Sequence, residues 1–100
     1  MSDHKKYLLG VMGLITKYKV NLANNNNTKS EREILEKVNL EYLKENAPLI
    51  YLETCIYKAL SQFLNKNSNE CMDTLINAFS FVVVYRKFRK RYYNFCIKLI

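Results

Sequence analysis

The sequence predicts an all-α fold: a four-helix antiparallel bundle with a long C-terminal helix, one domain over residues 1–100. Three observations predict it. Apolar residues recur at three- and four-residue steps along most of the chain, the spacing that keeps them on one face of a helix. Only two Gly and one Pro occur in 100 residues. Hydrophobic content of 49% with 13% aromatic belongs to a globular chain rather than a disordered one. A single chain of this length hides roughly 60–65% of its unfolded surface, enough for one modest core.

The first helix is expected over about residues 5–20, after a frayed Met1–His4. Leu8, Val11, Met12, Ile15 and Tyr18 fall on one face of it. Gly10 and Gly13 weaken it by roughly 1 kcal/mol each and leave room for another helix to approach. Asn21 to Asn27 holds five Asn and reads as a loop. Thr28-Lys-Ser-Glu31 is patterned as a capping box, opening a second helix over about 29–45 with Ile34, Leu35, Val38 and Tyr42 on its apolar face. Asn46-Ala47-Pro48 is a stop and restart, because the residue before a proline avoids helical angles and Pro suits a first turn. The third helix then covers about 48–64, with Leu49, Leu52, Ile56, Ala59, Leu60 and Phe63 expected inward. After the polar Asn65–Asn69, Ser68 is the expected cap of the fourth helix, over about 69–100.

That last helix organises the chain. Ala78, Phe81, Tyr85, Phe88, Tyr92, Phe95 and Leu99 form a stripe along it. Unbroken, it spans about 46 Å, while its neighbours reach about 25 Å at 1.5 Å per residue. A break near Ser80, or a short strand over the β-branched Phe81–Tyr85, is the competing reading. If the rod is continuous, the rings beyond its neighbours need cover. Phe81, Tyr85, Phe88, Tyr92, Phe95 and Leu99 are therefore the expected oligomer or partner interface.

The net charge is +7, and its placement is uneven. Residues 80–100 hold six Lys/Arg and no acid, leaving ten Lys/Arg against nine acids in residues 1–79. Arg86, Lys87, Arg89, Lys90, Arg91 and Lys98, with Tyr93 as a stacking ring, are the expected contacts to an anionic partner: nucleic acid or an acidic protein face. The acidic second helix, with Glu31, Glu33, Glu36, Glu41 and Glu45, offers such a face on the same or another copy.

No enzyme is expected. His4 is the single histidine, no Cys-x-x-Cys occurs, and no nucleophile has a base at readable spacing, so neither a metal nor another cofactor is implied. Cys55, Cys71 and Cys96, an odd number at wide spacing, read as reduced thiols of a cytoplasmic protein. Gly10-Val-Met-Gly13 has the glycines of a phosphate-clamping GXXG loop without its strand or polar centre. No apolar run is long enough for a membrane span, and Tyr7–Ile15 lacks the cleavage site of a signal peptide.

The order of elements, with Pro48-Leu49-Ile50 opening the third helix, is similar to that of small bacteriocin immunity proteins. That resemblance implies a monomeric inhibitor that neutralises a toxin or enzyme. The residues themselves favour a non-enzymatic helical interaction module that self-associates, or binds another protein, and presents its basic end.

Overall fold

The computed structural model describes the backbone of residues 2–99 and the side chains of residues 2–86 and of Lys98. Its described residues are all-helical, in five helices: α1 Asp3–Ala23, α2 Lys29–Leu35, α3 Leu40–Asn46, α4 Pro48–Leu64 and α5 Ser68–Leu99.

Helix α1 starts earlier than expected, because Ser2 caps it: the Ser2 hydroxyl accepts from the Lys5 N–H at 3.2 Å. Val11, Ile15 and Tyr18 are buried as the spacing predicts, whereas Met12 is half-exposed. The helix also runs three residues past the predicted end. Its terminus is a Schellman turn, with Asn26 N–H donating to Asn21 O at 2.8 Å and Asn25 N–H to Leu22 O at 3.2 Å. Asn25 takes the left-handed angle, φ 58°, which Asn tolerates better than most residues.

The second predicted helix is two. Helix α2 ends where Lys37 and Val38 N–H groups turn back to Ile34 and Leu35 carbonyls, and Asn39 opens α3 by accepting from the Tyr42 N–H at 3.1 Å. The Asn39 N–H in turn donates to the Tyr7 hydroxyl at 2.9 Å, so the break is anchored on α1. Splitting the element lets Leu35 and Leu43 both become fully buried. The capping box is also not formed. Thr28 makes no side-chain cap; Asn27 Oδ1 accepts from the Lys29 N–H instead, at 2.9 Å. Glu31 turns inward, accepting from Asn21 at 3.1 Å and pairing with Lys17 at 3.5 Å.

Helix α4 is the element on which every other helix packs. A second Schellman turn closes it, Asn67 N–H to Gln62 O at 2.9 Å and Lys66 N–H to Phe63 O at 3.0 Å. Helix α5 then returns antiparallel beside α4: Tyr51 packs edge-on to Phe81 at 5.0 Å, and Gln62 accepts from Thr74 at 2.8 Å. The core lies between these layers, with Val11, Ile15, Leu43, Tyr51, Cys55 and Ala78 as its buried cluster. Helix α5 is continuous through Ser80 and Phe81–Tyr85, so neither the break nor the strand occurs.

Three substitutions follow from this backbone. A Cβ at Gly10 or Gly13 would meet nothing within 4 Å, so these glycines serve no close helix approach. Gly10→Ala and Gly13→Ala are each expected to stabilise by about 0.5–1 kcal/mol in chemical denaturation. Lys66 holds φ 63°, a left-handed angle that costs an ordinary L-residue about 1–2 kcal/mol. Lys66→Gly is expected to recover about 1 kcal/mol of that, read in the same assay.

Glu31 gives a pH prediction. Its own main-chain N–H, which donates to the carboxylate, does most to hold its pKa below the ordinary value; burial opposes this, and Lys17 and Asn21 add to the lowering. A lowered folded-state pKa means the contribution is present above the unfolded value of about 4.3 and is lost as pH falls through the folded one. Wild type is expected to be more stable than Glu31→Gln at neutral pH. The gap between their denaturation midpoints should close as pH drops below about 4.

Candidate interaction surface

Two stripes of exposed apolar side chains run along the α4–α5 pair. On α4 they are Leu49, Ile56 and Phe63, seven residues apart and 74%, 58% and 64% exposed. On α5 they are Met72, Ile76, Phe79 and Val83, at steps of four, three and four, all more than half exposed. The α4 stripe was expected to point inward. It does not, because α4 turns another face to its neighbours: Tyr51 and Cys55 toward α5, and Tyr57 and Glu53 toward Tyr18 and Lys19 of α1.

Helix geometry places the two stripes together. At 100° per residue, Leu49, Ile56 and Phe63 lie within about 40° of one another on α4, and the exposed Glu53 lies about 40° from Leu49 on the same arc. Phe81, which Lys44 of α3 caps at 5.9 Å from the ring centre, marks the flank of α5 turned toward the first three helices. Met72, Ile76, Phe79 and Val83 lie on its other flank. Because both helices are right-handed and antiparallel, the stripes share one side of the pair. Helices α1, α2 and α3 each pack on α4. The result is a row of seven apolar side chains, each more than half exposed.

The residues singled out from the sequence fall into three groups. Phe81 and Tyr85 are partly buried inside the monomer; Phe81 packs on Tyr51 and stacks on Tyr85 at 5.7 Å. Arg86 and Lys98 are exposed on α5. The side chains of Lys87, Phe88, Arg89, Lys90, Arg91, Tyr92, Tyr93, Phe95 and Leu99 lie outside the described residues. Tyr51 stands three residues after the start of α4 and opposes Phe81, so α4 runs out near residue 84 of α5. The basic stretch begins just there.

The face was legible in part. The sequence carries two apolar registers on α5, one through Ala78, Phe81 and Tyr85 and one through Met72, Ile76, Phe79 and Val83. The first carries aromatic residues on to the C-terminus. The second has the same alternating step and stops at Val83, where Arg86 follows three residues on.

A second concavity, an open groove of about 500 Å³, lies between α1 and α2. Tyr7, Val11, Leu14 and Ile34 line it above Gly10 and Gly13. Lys17 on its rim is engaged with Glu31.

Burial, then the adjoining Cys55, pushes the Tyr51 phenol up to about 12. Burial likewise raises the Cys55 thiol, outweighing Tyr51, Lys58 and Lys44, which lower it. Cys55 and Cys71 are free and buried. No group of three His, Cys, Asp or Glu that could hold a metal occurs among the described residues. None of the described helices is long and apolar enough to cross a membrane. Comparison with family models, with curated proteins and with solved structures finds no match to this chain.

Proposed function

We propose that this chain is a non-enzymatic interaction module. It self-associates through an apolar helical surface and offers the basic C-terminal part of α5 to an anionic partner, an acidic protein face or nucleic acid. One observation carries the reading: seven Leu, Ile, Phe, Met and Val side chains along the α4–α5 pair are each more than half exposed. Water against that much apolar surface costs about 25 cal/mol per Å², which favours any arrangement that closes it. The charge supports the second half. All six cations after residue 80 follow the apolar stripe without an intervening acid. In this reading the antiparallel four-helix bundle predicted from the sequence is completed between molecules rather than within one.

The alternative is a monomer that uses the same face to neutralise a toxin or enzyme. The two differ in solution mass. Light scattering is expected to give about twice the 11.9 kDa of one chain. A mass of one chain at every concentration favours the inhibitor. For the basic end, binding to a DNA duplex or an RNA strand is expected to weaken with salt at a log–log slope near −0.9 per phosphate contacted. Replacing Arg86, Lys87, Arg89, Lys90 and Arg91 by Gln is expected to cut that binding by roughly tenfold or more. No binding of either nucleic acid at low salt would leave an acidic protein as the anionic partner.

A further inference from the structure

We propose that the groove between α1 and α2 docks an acidic amphipathic helix of a different protein, with the apolar side of that helix on Gly10 and Gly13 and its carboxylates on the lysines of the rim. The site is separate from the α4–α5 row and from the basic end of α5, so it stands or falls apart from the reading above.

The floor of the groove is a strip of bare backbone. Lys6, Gly10, Gly13 and Lys17 follow at steps of four, three and four, within about 60° of one another on α1. That is the step of a helix–helix seam. A Cβ at either glycine would meet nothing within 4 Å, so the space above the strip is open. Each glycine weakens α1 by roughly 1 kcal/mol and serves no packing within the chain. A missing side chain at a seam lets a second helix lie close on the first. Beside the strip, half-buried Tyr7, Leu14 and Val38 and exposed Ile34 give the groove of about 500 Å³ apolar walls.

The rim selects the charge. Lys6, Lys17 and Lys37 line the groove and no acid does. Lys17 pairs with Glu31 at 3.5 Å, whereas the exposed Lys6 and Lys37 pair with no acid among the described residues. The groove is therefore a cationic frame around an apolar floor, complementary to a ligand with anions flanking an apolar stripe.

The spacing of the cations selects a helix. Lys6 and Lys17 stand eleven residues apart, about 16 Å along α1, and Lys37 lies across from them just past the end of α2. An amphiphile with a single carboxylate, such as a fatty acid, reaches one of these cations and leaves the others without a partner. Three turns of helix match the length of the strip and carry acids at both ends of one apolar stripe, the helix-in-groove mode of recognition.

The test is a titration of the full chain, labelled with ¹⁵N, with a synthetic helical peptide of about fifteen residues bearing Leu and Ala along one stripe and Glu at both ends of it. Amide shifts are expected to move along residues 6–17 and 34–38, and the same peptide with Lys in place of Glu is expected to move none of them. Gly10→Leu with Gly13→Leu fills the strip without meeting the chain, so helical circular dichroism is expected to be kept while the Glu peptide binds roughly tenfold or more weakly. Lys6→Glu with Lys37→Glu is expected to weaken the Glu peptide by at least about tenfold and to admit the Lys peptide. Groove shifts that stay still at about 1 mM Glu peptide overturn the proposal, as do shifts confined to α4 and α5. Equal binding of the two peptides removes the charge selection and overturns it too. Laurate moving the groove shifts where the Glu peptide does not makes the groove a lipid site and overturns the peptide assignment.

Discussion

The architecture depends on α4, and α4 has more apolar circumference than its neighbours cover. Tyr51, Thr54, Cys55, Ala59, Ser61 and Gln62 are buried against α1, α2, α3 and α5, yet Leu49, Ile56 and Phe63 stay in water. A helix apolar on most of its faces belongs in the middle of a structure. Here it is central to the chain and still lies at one surface. Helices α2 and α3 are only seven residues each, and with α1 they pack on α4 without covering Leu49, Ile56 or Phe63.

The same shortage accounts for what the sequence did and did not disclose. Pro48 marks the start of α4 plainly, because its fixed angle and missing N–H suit a first turn. The continuity of α5 was also legible, since an apolar register that holds across Phe81–Tyr85 has no reason to stop. The division of the second helix was not found, although Asn39 carried the signal: a strong capping residue sits between Val38 and Leu40. Glu31 departs from its pattern for a related reason. Its spacing from Thr28 fits a capping box, but the fold offers it Asn21 and Lys17, and a buried carboxylate with those partners outweighs one exposed cap.

Core assignment on α4 failed on chemistry that periodicity does not count. Pattern reading put Leu49, Ile56 and Phe63 inside because they are the most apolar set. The structure buries Thr54 and Gln62 instead, because each has a hydrogen-bond partner. The Thr54 hydroxyl donates to the Ile50 carbonyl at 2.7 Å, and Gln62 accepts from Thr74. Once a polar group is paired, the cost of its burial largely vanishes, and the helix is free to turn its strongest apolar face outward. The aromatic seam of α5 shows the reverse. Phe81, expected at a partner interface, packs on Tyr51 within the chain, and Tyr85 stacks on Phe81.

These two displacements have one physical origin and lead to one consequence for the basic segment. A small domain must choose which apolar surface to hide, and aromatic rings that can pack edge-on gain from a shared core. The chain packs Tyr18, Tyr51 and Tyr57 through ring contacts and leaves Leu49, Ile56, Met72, Ile76 and Val83 outside, together with Phe63 and Phe79. That row ends at Val83, and the cations begin at Arg86, at the point where α4 runs out. Covering the row therefore fixes the position of the charged segment, because both lie on one uninterrupted helix. Mass action then ties them: any partner that closes the face stabilises the helix that carries the charge, and an anion bound to that charge favours the closed form in return.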